Sequence, residues 1–280
     1  MNLKSNKLFL HFKNSKFFSL KQENYFNIYV DLFKKYKNKK ITLVEIGVAN
    51  GGSLYMWRSF FGRKARIVGV DLNPEVKKFE KDGFEIFVGD QSDKKFWKNL
   101  YRKIGKIDIL IDDGGHKNIQ QVVTVAESIN NIKNNGMIVI EDTVTSYLKK
   151  KGFNNPSMHS FINYCNLIIE SIHRRNSLLN KKNNIFSKKV NSIKFYDSIV
   201  VLNIKDKIKE KSNSISNMKK NAFFVDFRHE GYFLKTLNYF SFFSKNKFIL
   251  KIIRKMFHRN IFFYIHEKIK LISYFNKIKS

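Results

Sequence analysis

Five short apolar runs punctuate the first half of the chain, and each stops on a glycine or an acid. Thr42–Gly47 is apolar apart from Glu45, and Arg66–Val70 ends at Asp71. Glu85–Val88 ends at Gly89-Asp90-Gln91, Ile107–Ile111 at Asp112-Asp113, and Met137–Ile140 at Glu141-Asp142. Runs this short and this apolar are the pattern of strands buried on both faces. Helical spacing separates them: Gln22–Lys37 carries Tyr25, Phe26, Ile28, Tyr29, Leu32 and Phe33 one, three and four apart. Trp57 and Phe60 lie on a second helix, and Phe96–Ile104, Val122–Ile132 and Ser160–Ser171 supply three more. Strands alternating with helices predict an α/β, Rossmann-like doubly wound parallel sheet. Ile193–Ile204, split at Tyr196-Asp197, reads as a hairpin closing one edge, and Arg174–Lys189 as exposed.

Residues 1–20 are basic and aromatic without a clear period, so 1–40 is expected to be an N-terminal helical segment before a domain spanning 41–204. From 205 to 280 the alternation stops. Phe, Ile and Lys dominate there, with 18 Lys and Arg against 5 acids. This basic extension would pack on the domain or on a second copy, or lie on an anionic inner-membrane surface. No stretch resembles a cleaved signal or a spanning segment. A lone cysteine, Cys165, allows neither an internal disulfide nor a Cys-based metal site. These features lead us to expect a cytoplasmic protein, with peripheral contact to the inner membrane as an extra option.

The net charge of +30 invites a nucleic-acid reading, but it rests mostly on lysine in a chain also rich in Asn, Ile and Phe. AT-rich coding explains that bias without a partner, and no nucleic-acid recognition signature accompanies it. No nucleic acid is therefore expected.

In an open α/β sheet, ligands sit beyond the carboxyl ends of the strands. At the first such end, Gly47, Gly51, Gly52 and Ser53 form a turn that lets a ligand approach the backbone and opens a helix. The spacing departs from G-x-G-x-x-G, which disfavours a dinucleotide. Glu45, Asp71 and Asp90, with Gln91 beside it, supply polar groups in a row for an amino-acid end, a ribose and an adenine. The competing role for Asp71 and Asp90 is capping or turn chemistry. At the fourth and fifth ends, Asp113, Glu141 and Asp142 can converge if those strands are neighbours. Carboxylates that close repel unless a cation lies between them. All-oxygen ligands point to Mg²⁺. His116, three residues past Asp113, would take a proton from a hydroxyl, while Asp112 is expected to support the turn. Ser53 lacks a nucleophile-elbow context, which argues against a hydrolase.

The stretches Glu45–Ser53, Gly89–Asp93, Ile111–His116, Ile140–Tyr147 and Ser192–Val200 occur in order. Together they resemble the metal-dependent class I methyltransferases that modify macrolide sugars, the macrocin and mycinamicin type, to which cephalosporin-hydroxylase-like proteins are related. The resemblance covers about residues 25–204. It implies an S-adenosyl-L-methionine loop, Mg²⁺ on Asp113, Glu141 and Asp142, and His116 as general base. That family usually shows Asp-Gly-Ser-His, where this chain has Asp-Gly-Gly-His. The resemblance does not extend to the long N-terminal domain of the macrolide enzymes, so it implies neither their oligomer nor their acceptor.

The expected reaction is O-methyl transfer to a sugar hydroxyl, on a nucleotide sugar or a surface glycan. The alternatives are a non-sugar acceptor or a catalytically silent binding protein. Thr143–Pro156, with Tyr147 and its lysines, is either a lid over the acceptor or an exposed linker.

Overall fold

The computed structural model describes residues 3–149, 156–179 and 181–206, and a few isolated positions beyond them, including 268–269 and 274–278. Most of the basic extension, and the tip of the expected lid at 150–155, lie outside the described residues. The chain divides into two units, Met1–Ser214 and Ile215–Ser280. Described positions in the second are helical at 268–269, 271–272 and 274–278. No helix among the described residues is long and apolar enough to cross a membrane.

The first unit is built on one seven-stranded sheet of order β3-β2-β1-β4-β5-β7-β6. Its strands are β1 (Thr42–Ile46), β2 (Arg66–Asp71), β3 (Glu85–Val88), β4 (Ile107–Asp112), β5 (Ile132–Ile140), β6 (Val190–Tyr196) and β7 (Ile199–Ile204). Strands β1 to β5 run parallel. The β6–β7 hairpin pairs antiparallel with β5, closing the edge as expected. The helices are α1 (Lys7–Lys13), α2 (Tyr25–Phe33), α3 (Gly52–Phe61), α4 (Lys94–Ile104), α5 (Asn118–Ser128), α6 (Phe161–His173) and α7 (Ile185–Lys189).

Successive strand residues point to opposite faces of a sheet. Leu43, Ile109, Ile111, Met137 and Val139 accordingly join α1, α2 and α3 in one core. Val44, Ile46, Leu110, Ile138 and Ile140 join α4, α5 and α6 in the other. The first core is largely aromatic. Tyr29, Phe33, Trp57 and Phe61 pack ring on ring with centroids 5.1 to 5.9 Å apart.

Two elements are sharper in the structure than in the sequence pattern. The aperiodic N-terminus contains α1, whose start is capped by the Asn6 side chain accepting from the Leu8 and Phe9 amides. Only Leu8 of α1 is fully buried, too little apolar repetition to register as a period. The helix expected over Val122–Ile132 starts earlier and ends at Ser128, and β5 begins at Ile132. A register shift between Ile107 and Ile109 lets the polar stretch Lys133–Asn135 be carried beside β4. Asn135, with φ +62, turns the chain there.

Candidate active site

The strand order reverses between β1 and β4, both leaving from the middle of the sheet. That switch point is where the loops after neighbouring strands part and leave a crevice. A cavity of about 380 Å³ opens there. Its lining includes Gly47, Ser53, Asp71, Asp90, Gln91 and Asp113 from the expected set. Phe18, Ser19 and Leu20 line it too, from an N-terminal arm the sequence did not bring to the site.

Gly47 has φ +87, and a Cβ there would lie 2.0 Å from the Asp113 carbonyl oxygen. Only glycine lets the loop after β1 pass this close to the end of β4. Gly52, the first residue of α3, is buried from the other side. Its N–H donates to the Phe18 carbonyl at 3.2 Å, and a Cβ there would meet the Phe17 carbonyl oxygen at 2.3 Å. Gly51 caps α3 in the left-handed region. Gly51, Gly52 and Glu45 stand behind the cavity wall, not on its surface.

Asp71 accepts from the Ala49 amide at 2.8 Å and the Asn73 amide at 2.9 Å, so it shapes the loop and lines the cavity at once. Asp90 does the same with the Ser92 amide and hydroxyl, both at 2.7 Å. Both acids therefore make turn bonds and still line the cavity. Gln91 is a brace. Its amide donates to both Asp112 oxygens at 2.9 Å, and its carbonyl accepts from the Gly115 amide at 3.1 Å. Asp112 also accepts from the Gly114 amide at 3.1 Å, which makes it the support of the turn.

Strand parity organises the acids. Glu45 shares a face with Leu43, Asp113 with Ile109 and Ile111, and Glu141 with Met137 and Val139. That face carries α1, α2 and α3. On it the side chain of Lys21, 1% exposed, reaches into the acid cluster. Its ammonium donates to Asp113 Oδ2 at 2.5 Å and Glu141 Oε2 at 2.9 Å, and lies 4.0 Å from Glu45 Oε1. Burial opposes the charge on Lys21, but Asp113, Glu141 and Glu45 outweigh it and hold its pKa above the usual lysine range. Burial pushes Glu45 up to about 7, against Lys21, Trp57 and Ser53. It pushes Glu141 upward as well, with Lys21 opposing. Trp57 Nε1 at 2.9 Å and the Ser53 hydroxyl at 2.8 Å donate to Glu45, and the Tyr29 hydroxyl donates to Glu141 at 2.6 Å.

The outward groups are Asp113, Asp142 and His116, with side chains 20%, 27% and 22% exposed, whereas Glu45 and Glu141 are fully buried. One ligand atom from each of the three outward groups lies within 4.8 Å of the others. His116 Nε2 is 3.4 Å from Asp142 Oδ2 and 3.9 Å from Asp113 Oδ1. His116 (φ +55) and Asp142 (φ +51) both hold left-handed backbone. Such strain clusters at functional sites. The Thr145 hydroxyl fixes the pair, lying 2.9 Å from the His116 carbonyl oxygen and 2.8 Å from that of Asp142. Asp142 also accepts from the Tyr25 hydroxyl at 2.6 Å and the Gln22 amide at 3.0 Å. The structure thus brings Asp113, Asp142 and His116 together at the opening, and Glu141 beneath them against Lys21. No sequence signal distinguished Lys21 among 53 basic residues.

A solved structure of MycE, a methyltransferase from the mycinamycin biosynthetic pathway in complex with Mg and SAH, superposes with a TM-score of 0.64 at 24% identity. The match covers 78% of this chain and 57% of that one. This is the class I methyltransferase fold. Among curated proteins, the chain is similar to mycinamicin VI 2''-O-methyltransferase of Micromonospora griseorubida. The two are 37% identical over 124 residues, which is 41% of this chain and 30% of the relative. A rhamnosyl tetracenomycin-C 2'-O-methyltransferase of Streptomyces olivaceus is 30% identical over 153 residues, 52% of this chain and 40% of the relative. Demethylmacrocin O-methyltransferase of Streptomyces fradiae is 34% identical over 122 residues, 41% of this chain and 30% of the relative. The chain therefore spans well under half the length of these relatives. No protein-family model matches it.

Proposed function

We propose that the chain is an S-adenosyl-L-methionine-dependent O-methyltransferase acting on a sugar hydroxyl, assisted by a divalent cation such as Mg²⁺. The observation that carries this reading is the convergence of Asp113, Asp142 and His116 beside the switch-point cavity. Curated relatives named for methylating sugars support the acceptor class.

The residues fit both groups. The cavity offers the close-approach loop at Gly47 and the Asp71 carboxylate, whose oxygens keep acceptor capacity beyond the two backbone amides they already serve. A carboxylate of that kind suits a ribose diol. Asp113 and Asp142 would hold the cation, hard oxygen donors being what Mg²⁺ prefers. When bound, the sulfonium supplies an electrophilic methyl group and the cation lowers the pKa of a nearby hydroxyl.

The chain's own residues do the rest. His116 Nε2 would accept the proton that the acceptor hydroxyl loses when its oxygen takes the methyl group from the donor. Asp113 and Asp142, close to the ring, stabilise the imidazolium that results. The Thr145 hydroxyl and the Gln91 brace keep both loops in place. We retain 41–204 as the methyltransferase domain, with an acceptor drawn from nucleotide sugars or glycans and the protein working in the cytoplasm.

The deciding experiment is transfer of a labelled methyl group to a panel of nucleotide sugars, glycans and glycosylated macrolides, with Mg²⁺ and with a chelator. Label on a sugar that disappears on chelation is the expected result. Donor binding without any transfer would make the fold a silent binding module, and transfer untouched by chelation would remove the cation from the mechanism. A narrower expectation concerns Asp71. Asp71→Ala removes an acceptor from two backbone amides as well as from the cofactor, and should weaken S-adenosylmethionine binding about tenfold or more. Isothermal titration with the cofactor measures it.

A further inference from the structure

The buried Lys21 ammonium is a unit charge placed among carboxylates by an arm that is fixed along its length. The Ser15 hydroxyl donates to the Gly52 carbonyl at 2.7 Å, and the Gly52 amide returns a bond to Phe18. The Phe17 ring packs on Tyr55 and Phe79 with centroids 5.2 and 5.4 Å away. Beyond Lys21, Gln22 and Tyr25 both donate to Asp142. Contacts on both sides hold Lys21 within the cluster. It divides the acids in two. Glu141 is spent on Lys21 and Tyr29, and Asp113 gives one oxygen to Lys21 while the other faces His116.

We propose that Lys21 is a built-in cation of this site, a positioning residue that holds Glu141 out of reach and confines a divalent ion to Asp113 and Asp142, beside His116. The inference rests on the cation-assisted reading above and deepens it. A divalent ion placed between Asp113 and Glu141 would share those oxygens with an ammonium of like charge, and at such short range that repulsion is large. The outward set keeps two carboxylates, enough for weak, exchangeable binding. Lys21 therefore sets both where the ion sits and how tightly it is held.

The test is Mn²⁺ binding to the full chain, by calorimetry and by the electron paramagnetic resonance of the free ion, which needs neither cofactor nor acceptor. Lys21→Met frees oxygens of Glu141 and Asp113 and removes a like charge, so it should bind Mn²⁺ about tenfold or more tightly than the parent protein. Glu141→Gln alone should leave Mn²⁺ affinity unchanged, and in the Lys21→Met background it should erase the gain. The melting temperature of Lys21→Met should fall without metal and recover on adding Mn²⁺. Unchanged or weaker binding by Lys21→Met overturns the proposal, and so does loss of binding by Glu141→Gln alone. If Lys21→Met does not fold, the single Glu141→Gln measurement still decides. Failure of methyl transfer with this binding pattern intact would overturn the activity reading and leave the Lys21 assignment standing.

Discussion

His116→Asn should lower the rate of methyl transfer about 10²- to 10⁴-fold, the usual worth of a general base, and leave S-adenosylmethionine affinity unchanged. Asparagine is the informative replacement because residue 116 has φ +55, a conformation asparagine tolerates at least as well as histidine. The loop and its link to Thr145 through the residue 116 carbonyl oxygen are then retained. What is lost is a nitrogen 3.4 Å from Asp142 that can accept a proton and have the resulting charge stabilised. The ring does not line the switch-point cavity proposed for the donor, so donor binding has no reason to change. Turnover at saturating donor and acceptor, with donor affinity measured separately, distinguishes the outcomes. Retention of most of the parental rate would remove His116 from proton transfer and leave it as a cation ligand or a loop support.

Gly47→Ala should destabilise the protein by about 2–5 kcal/mol, the sum of forcing a side chain into left-handed backbone and overpacking a tight contact. The contact is backbone on backbone. A Cβ would sit 2.0 Å from the Asp113 carbonyl oxygen and 3.0 Å from the Gly114 Cα, so no side chain can rotate away to relieve it. Relief requires the β1 and β4 loops to separate. Moving Asp113 in that way would disturb both the cavity wall and the outward cluster, because Asp113 belongs to both. Chemical denaturation gives the stability loss. Cofactor titration on the folded fraction should show binding weakened beyond detection. A variant of parental stability and affinity would mean that the loop after β1 is held much less tightly than its geometry indicates.

The comparison of these two residues with Lys21 shows what could be read from the chain. His116 and Gly47 stand out locally. One follows an apolar run and two acids, the other closes a strand ahead of a glycine-rich turn. Buried parallel strands need continuous apolar residues, so any charge at their ends is conspicuous. The same logic exposes Asp113, Glu141 and Asp142. It does not tell which of them faces outward. That depends on parity and on what covers each face. Glu141 follows Met137 and Val139 onto the aromatic side, under α2, whereas Asp142 turns out through left-handed backbone at φ +51. Gln91 was legible as a candidate cofactor-binding residue at a strand end. Its part as the brace between Asp112 and Gly115 requires partners 21 and 24 residues away.

The order of strands and helices, the edge hairpin, the close-approach glycines and the acids at strand ends were determined by the sequence itself, because each rests on spacing within a few residues. The tertiary structure alone decided the path of the N-terminal arm. Lys21 meets Asp113 and Glu141 across 92 and 120 residues, in a segment without period and among many other lysines. Hydrophobic periodicity records which way a side chain faces, and it carries no information about which distant charge will be buried beside it. Here that choice is made by packing: Phe17 against Tyr55 and Phe79, and Gly52 leaving room for the arm to cross α3, together deliver an ammonium to the acids.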